Sequence, residues 1–142
     1  MAKHCIVDFG EHEEAIRYIR HTVFTLEQGV DPAIDFDGQD NDAVQVLVYD
    51  NEMPVGTGRM LPDGHIGRIA VLAPSRGRGM GSRIIAALMD RAAGLQLNRV
   101  YLGAQVSAVP FYEKLGFVAD GDNYMEANIL HTPMVRDLRQ DR

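Results

Sequence analysis

The sequence predicts an α/β (α+β) layer fold in which helices lie on the faces of a mixed sheet. Short runs of β-branched and apolar residues alternate with stretches of helical spacing. Turn-forming residues separate them at close intervals. A glycine-rich run stands directly ahead of an apolar helix, as in a strand-to-helix connection. The chain of 142 residues suits one domain, 1–142, and its 46 % apolar content is enough for a core without disulfides or metal.

Cys5–Phe9 reads as a first strand, with Cys5 as a small buried residue. Ile16, Ile19, Val23 and Leu26 then recur at helical spacing within Glu13–Gln28. An acidic, glycine-containing loop, Asp31–Asp42, follows. Val44, Val46, Leu47 and Val48 mark a second strand, and Asp50-Asn51-Glu52 turns it into a hairpin with a third, Pro54–Leu61. Pro62-Asp63-Gly64 leads to a fourth strand, His65–Val71. Beyond the glycines, Ile84, Ile85, Leu88, Met89 and Ala92 share one helix face, with Gly94 as the stop. Arg99–Ala104 is a fifth strand. Ser107 is placed to cap a short helix through Leu115, closed by Gly116, and the remainder to Arg136 reads as one or two strands.

Charge and composition narrow the function. The formal net charge is -6, and Lys3 and Lys114 are the lysines. A grip on a nucleic-acid backbone calls for a basic face, so nucleic acid is not expected as a partner. No run approaches the roughly 20 apolar residues that span a bilayer, and the N-terminus has no signal-peptide core. A cytoplasmic protein without membrane contact is therefore expected. Cys5 is the one cysteine, so no internal disulfide forms.

The chemistry concentrates in Arg76-Gly77-Arg78-Gly79-Met80-Gly81-Ser82 at the head of the long helix. Glycines let the backbone approach a ligand closely. A helix start offers free N–H groups and the positive dipole end, and two arginines add fixed charge. This is a cradle for phosphate. A nucleoside triphosphate would call for Gly-Lys-Ser/Thr, and no lysine lies near. A dinucleotide would call for an acidic residue about twenty positions on, yet Leu97 to Ala104 holds none. Coenzyme A remains, with its diphosphate in the cradle and its pantetheine arm along a strand edge.

These residues resemble the Arg/Gln-x-x-Gly-x-Gly/Ala signature of the GNAT superfamily of acyltransferases, and Ile69-Ala70-Val71 resembles that family's fourth strand. Phe111-Tyr112-Glu113-Lys114-Leu115-Gly116-Phe117 is similar to its later Phe-Tyr-x-Lys-x-Gly-Phe motif. Arg20-His21-x-Val23-Phe24-x-x-Glu27-Gln28 and Leu102-Gly103-Ala104-Gln105 resemble the ElaA and YjcF group. His131-x-x-Met134 is similar to a Pro-His-x-x-Met segment of that group and of glyphosate N-acetyltransferases, with Leu130 in place of the proline.

The resemblance implies a mostly antiparallel central sheet with helices on both faces. It also implies an N-acetyltransferase that uses acetyl-CoA and no metal, a small-molecule amine as acceptor, and a homodimer. The main chain of Ile69 and Val71 would polarise the thioester, and Arg76, Gly77, Arg78, Gly79, Met80, Gly81 and Ser82 would hold the diphosphate. Tyr112 would be the acid beside the sulfur and His131 the base, with Glu27 and His65 as alternative bases. Arg20 and Arg68 resemble arginines that hold substrate anions, with Gln105 in place of a third, which implies an acceptor with an acidic group beside its amine, such as an amino acid. Cys5 matches no acyl-carrier position, so direct transfer in a ternary complex is expected. The alternative is a non-catalytic acyl-CoA-binding module on the same fold.

Overall fold

The expected hairpin of the second and third strands heads a run of four antiparallel neighbours. In the computed structural model, which describes residues 2–139, β1 (Ala2–Val7), β2 (Val44–Asp50), β3 (Met53–Met60) and β4 (Ile66–Val71) form one sheet in chain order. A second antiparallel sheet is built on β8 (Ile129–Asp137). It pairs with β5 (Arg99–Gln105) along one edge and with β6 (Val118–Ala119) and β7 (Tyr124–Glu126) along the other. The two sheets meet at a parallel bridge between His65 and Tyr101.

Neighbouring residues of β2 explain why both faces are covered. Side chains alternate along a strand. Val46 and Val48 pack on one face with Ile84, Ile85 and Leu88 of α3 (Met80–Gly94). Leu47 packs on the other with Ile16 and Ile19 of α1 (Phe9–Arg20). A strand buried on both sides reads as an unbroken apolar run, as β2 does. Each buried Ile or Leu here contributes roughly 1.5–3 kcal/mol. Among the described residues no helix is long and apolar enough to cross a membrane.

Several expectations are corrected. The first helix does not keep one period to Gln28: after Arg20 it widens into a π-wound segment, His21–Glu27. The extra backbone per turn rotates later side chains off the apolar face, and Leu26 is 69 % exposed. Cys5 is exposed rather than buried, because β1 is an edge strand whose central residues all face solvent. Ser107 caps nothing. It lies in a 3-10 turn, and the short helix α4 (Val109–Lys114) starts from Ala108 without a side-chain cap. The C-terminal stretch holds three strands, β6 to β8. The acidic loop contains a helical turn, α2 (Pro32–Asp35), with Asp31 accepting from the Ala33 N–H at 2.8 Å.

Candidate active site

Between β4 and β5 the two sheets diverge from the His65–Tyr101 bridge, and a cavity of about 370 Å³ opens in the gap. Ile66 to Ile69 form one wall; Leu102, Gly103 and Gln105 form the facing one. Phe24 and Gln28, from the π-wound segment and its end, cover one side. Tyr112, Tyr124, Glu126 and His131 reach it from α4, β7 and β8. Gly103 is required here: a Cβ would meet the Tyr124 hydroxyl oxygen at 1.8 Å.

A bulge shapes the β4 wall. Thr57 faces Ala70 and Arg59 faces Gly67, so Gly58 opposes both Arg68 and Ile69. Arg68 takes φ +53°, unusual for a residue with a side chain. Beyond the bulge, the Leu72 N–H donates to the Val55 carbonyl at 2.8 Å. Bonding alternates along an antiparallel strand, so the main-chain polar groups of Val71, and those of Ile69 two residues earlier, turn to the edge that faces β5. The Val71 carbonyl there accepts from Arg76 Nε at 2.8 Å.

The glycine-rich loop is open. Gly77 and Gly79 take φ +78° and +79°, and a Cβ on either would meet nothing within 4 Å. The first helical bond runs from the Arg83 N–H to the Gly79 carbonyl at 3.0 Å. Among the described residues, the N–H groups of Gly77 through Ser82 have no acceptor. The Met80 side chain is buried in the core, so only its main chain is available to a ligand. Arg76 Nη2 donates to Glu27 at 2.8 Å and Arg78 Nη1 to Asp50 at 3.0 Å, on exposed side chains that move at little cost.

Tyr112 is packed edge-on against Phe111 and Phe117, and burial pushes its phenol up to about 12. It therefore stays protonated near neutral pH. His131 is buried, and its Nδ1 lies 2.7 Å from the Ile129 carbonyl. A carbonyl only accepts, so Nδ1 carries a proton, and Nε2 is the ring nitrogen left to meet another partner. The Tyr124 ring stacks on it at 5.6 Å. His65 also lines the cavity, stacked on Tyr101 at 4.6 Å, with burial holding its pKa below the ordinary imidazole value. Glu27 does not line the cavity; its carboxylate is held by Arg76 at the surface.

Arg20 is corrected from an acceptor-facing residue to an internal strut. It is fully buried and does not line the cavity. Its Nε and Nη2 donate to Asp35 Oδ1 at 3.0 and 2.9 Å, and its Nη1 to Asp40 Oδ1 at 2.6 Å. Arg59 binds Asp40 at 3.0 Å and Asp37 at 2.6 Å. The Arg59 hydrogen bond holds the Asp37 carboxyl well below the usual carboxylate range. Burial alone would raise Asp40, but Arg20 and Arg59 outweigh it and hold it low. Arg68 does line the cavity, though its Nε and Nη2 bind the Asp35 and Ile34 carbonyls at 3.1 Å. Gln105 also lines it and donates to Gln28 at 3.1 Å.

The structure thus brings Ile69, Tyr112, His131, Arg68 and Gln105 to one cavity, with Val71 and the open loop following along β4. Sequence reading expected the first helix and the Asp31–Asp42 loop to supply walls but did not single out Phe24, Gln28 or Asp35 on them, and it missed Tyr124 and Glu126. Asp35 had no signal, since in an acidic loop it looks like any solvated turn residue. Tyr124 and Glu126 sit on a strand too short to show a period.

Comparison with known proteins agrees with this geometry. Residues 14–138 match the acetyltransferase (GNAT) domain family. The chain is 37 % identical over 135 residues to YjcF, an uncharacterised N-acetyltransferase of Bacillus subtilis (strain 168), covering 90 % of this chain and 96 % of that protein. It is 30 % identical over 135 residues to ElaA of Escherichia coli (strain K12), covering 89 % and 88 %. The crystal structure of Escherichia coli ElaA superposes with a TM-score of 0.84 at 27 % identity, covering 96 % and 100 %. An acyl-CoA N-acyltransferase from Pseudomonas aeruginosa gives 0.84 at 27 %, covering 96 % and 99 %. A divided antiparallel sheet with helices on both faces, an open glycine-rich loop at the head of α3 and this breadth of likeness lead to one conclusion: the chain belongs to the GNAT family of N-acetyltransferases.

Proposed function

We propose that this enzyme transfers the acetyl group of acetyl-CoA directly to the amine of a small molecule, with both substrates bound together. The supporting observation is the run of N–H groups from Gly77 to Ser82 without an acceptor among the described residues, which follows the β4 edge that turns toward β5. Those loop amides and the helix N-terminus suit a diphosphate. The outward N–H groups of Ile69 and Val71 suit a thioester carbonyl and the oxyanion that forms on it.

The roles of the side chains follow from their protonation. An ammonium has no lone pair, so the acceptor must lose a proton before attack. His131 Nε2 takes that proton. The amine nitrogen then bonds to the carbonyl carbon, and as the tetrahedral intermediate collapses the carbon–sulfur bond breaks and the nitrogen releases its second proton to solvent, which in turn protonates the departing thiolate. Tyr112 meets the departing sulfur. With its phenol near 12 and a thiol near ~8.5, complete proton transfer is uphill by several kcal/mol. Tyr112 thus acts first as a hydrogen-bond donor that stabilises the thiolate, which is protonated as coenzyme A leaves.

The test is steady-state acetyl transfer followed by thiol release. Tyr112→Phe should lower kcat by roughly 10²–10³-fold, and His131→Ala by roughly 10²–10⁴-fold. Both should leave acetyl-CoA affinity, measured by calorimetry, unchanged. Tight acetyl-CoA binding without thiol release for any amine would identify a binding module instead.

A further inference from the structure

Tyr124 lines the cavity from β7, outside the roles given to Tyr112 and His131. It stands directly opposite His131 across the β7–β8 pair, and Gln105 stands opposite His131 on the β5 side. The Tyr124 ring lies nearly parallel to the imidazole, 19° apart with 5.6 Å between centroids. Its hydroxyl reaches past β8 to β5, where it fills the space that a side chain on Gly103 would need. His131 Cδ2 lies 3.8 Å from that same point. Tyr124 is 39 % exposed, whereas the His131 beside it is buried.

An imidazole held at one point can tilt. Nδ1 of His131 meets the Ile129 carbonyl at 2.7 Å, which pins one corner of the ring and leaves its plane free. Gln105 does not restrain it, because its amide N–H donates to Gln28 instead. The flat face of Tyr124 supplies the missing restraint. Register makes the contact possible, since a slip of one residue would turn Tyr124 to the opposite face. A two-residue turn, Ala127 at φ +52° and Asn128 at φ +64°, joins β7 to β8 and sets that register. Alanine is strained in the left-handed region, and such strain persists where the surrounding structure requires it. The hydroxyl does not account for the residue: no described residue hydrogen-bonds to it.

Resting on the acetyl transfer proposed above, with His131 as its base, we infer that Tyr124 is a positioning residue. Its ring fixes the plane of the imidazole so that Nε2 points at the acceptor nitrogen. Gly103 is the notch that lets the ring lie flat. The ring face acts, and the hydroxyl only fills the notch. A base turned off its line loses rate while both substrates still bind.

Substitution at both positions separates this role from a merely structural contact. Tyr124→Phe keeps the ring and should leave kcat within twofold. Tyr124→Ala should lower kcat at least tenfold with the KM for acetyl-CoA unchanged; a kcat within twofold of the parent enzyme would overturn the inference. Gly103→Ala puts a methyl carbon where the Tyr124 oxygen now sits, but 3.1 Å from the ring carbon that bears it. It should displace the ring and lower kcat at least tenfold. With the oxygen gone the ring need yield only slightly, so Gly103→Ala combined with Tyr124→Phe should recover to within about threefold of the parent rate. No recovery would mean that Gly103 acts on the acceptor directly, and the assignment falls. A loss in Tyr124→Phe equal to that in Tyr124→Ala would give the role to the hydroxyl, with the same consequence. Should Tyr124→Ala fail to fold, the Gly103→Ala pair decides. Proton NMR reads the contact without turnover: the His131 ring signals, identified by their loss in His131→Ala, should move downfield in Tyr124→Ala, and unmoved signals would sink the contact. His131→Ala also keeps the two ideas apart. If it leaves kcat unchanged, the base assignment fails; if it lowers kcat while Tyr124→Ala does not, this inference alone fails.

Discussion

Arg20 holds the acidic loop to the first helix through four hydrogen bonds, two to Asp35 Oδ1, one to the Asp35 carbonyl and one to Asp40. The fork geometry of guanidinium makes this arrangement possible, and a lysine could not reproduce it. Removing the partner of two buried carboxylates leaves uncompensated charge, which costs about 3–5 kcal/mol. Arg20→Ala should therefore lower the free energy of unfolding by about that amount, measured by urea denaturation; a loss below about 1 kcal/mol would mean the cluster is solvated. Arg20 was legible in the sequence only through its motif, as an acceptor-facing residue. Its partners were not, because they arrive 15 and 20 residues later on a loop with many equivalent aspartates. Tyr112 and His131 were legible because their flanking residues form motifs, whereas Asp35 has none.

Elements with a clear period were read almost to the residue. The β2–β3 hairpin and the apolar face of α3 fall where apolar spacing puts them. Misreadings occur where the backbone leaves the regular menu. Helical periodicity cannot anticipate the π-wound turn that exposes Leu26, since it shifts the phase without changing composition. The cap expected at Ser107 was displaced by a 3-10 turn. The glycine-rich loop is the opposite case, because its residue types directly state its conformation. Gly79, at φ +79°, is the N-terminal boundary of α3. An alanine there pays about 1 kcal/mol of left-handed strain but meets no protein atom. Gly79→Ala should thus cost only a few degrees of thermal midpoint while weakening acetyl-CoA binding more than tenfold. A loss of stability without a loss of affinity would show that the loop does not contact the coenzyme.

At the scale of the molecule, the layer order was legible, but the division of the sheet was not. Nothing in β4 or β5 announces that, among the described residues, the two sheets are bridged beside β4 at His65 and Tyr101 and then separate, yet that separation opens the cavity. The acidic cluster ties the loop of α2 to both β3 and β4, and it sets the acid limit of the fold. Asp37 and Asp40 titrate below the ordinary carboxylate value in the folded state. The unfolded chain therefore binds more protons as pH falls past about 4. Their stabilisation is complete above that pH and lost below it as the folded carboxyls protonate. The thermal midpoint should begin to decline below about pH 6.5, where His65 protonates more readily in the unfolded chain, and fall further below 4, where Asp37→Asn should fall less steeply. Parallel curves for the two proteins would place the acid sensitivity elsewhere.

Cys5 lies on the outermost strand with its thiol open to solvent. In air, two such molecules can be joined through a bridge between their rims, without any folded interface behind it. A band of doubled mass on a gel run without reductant would then record storage rather than assembly, and a Cys5→Ser sample run alongside would tell the two apart.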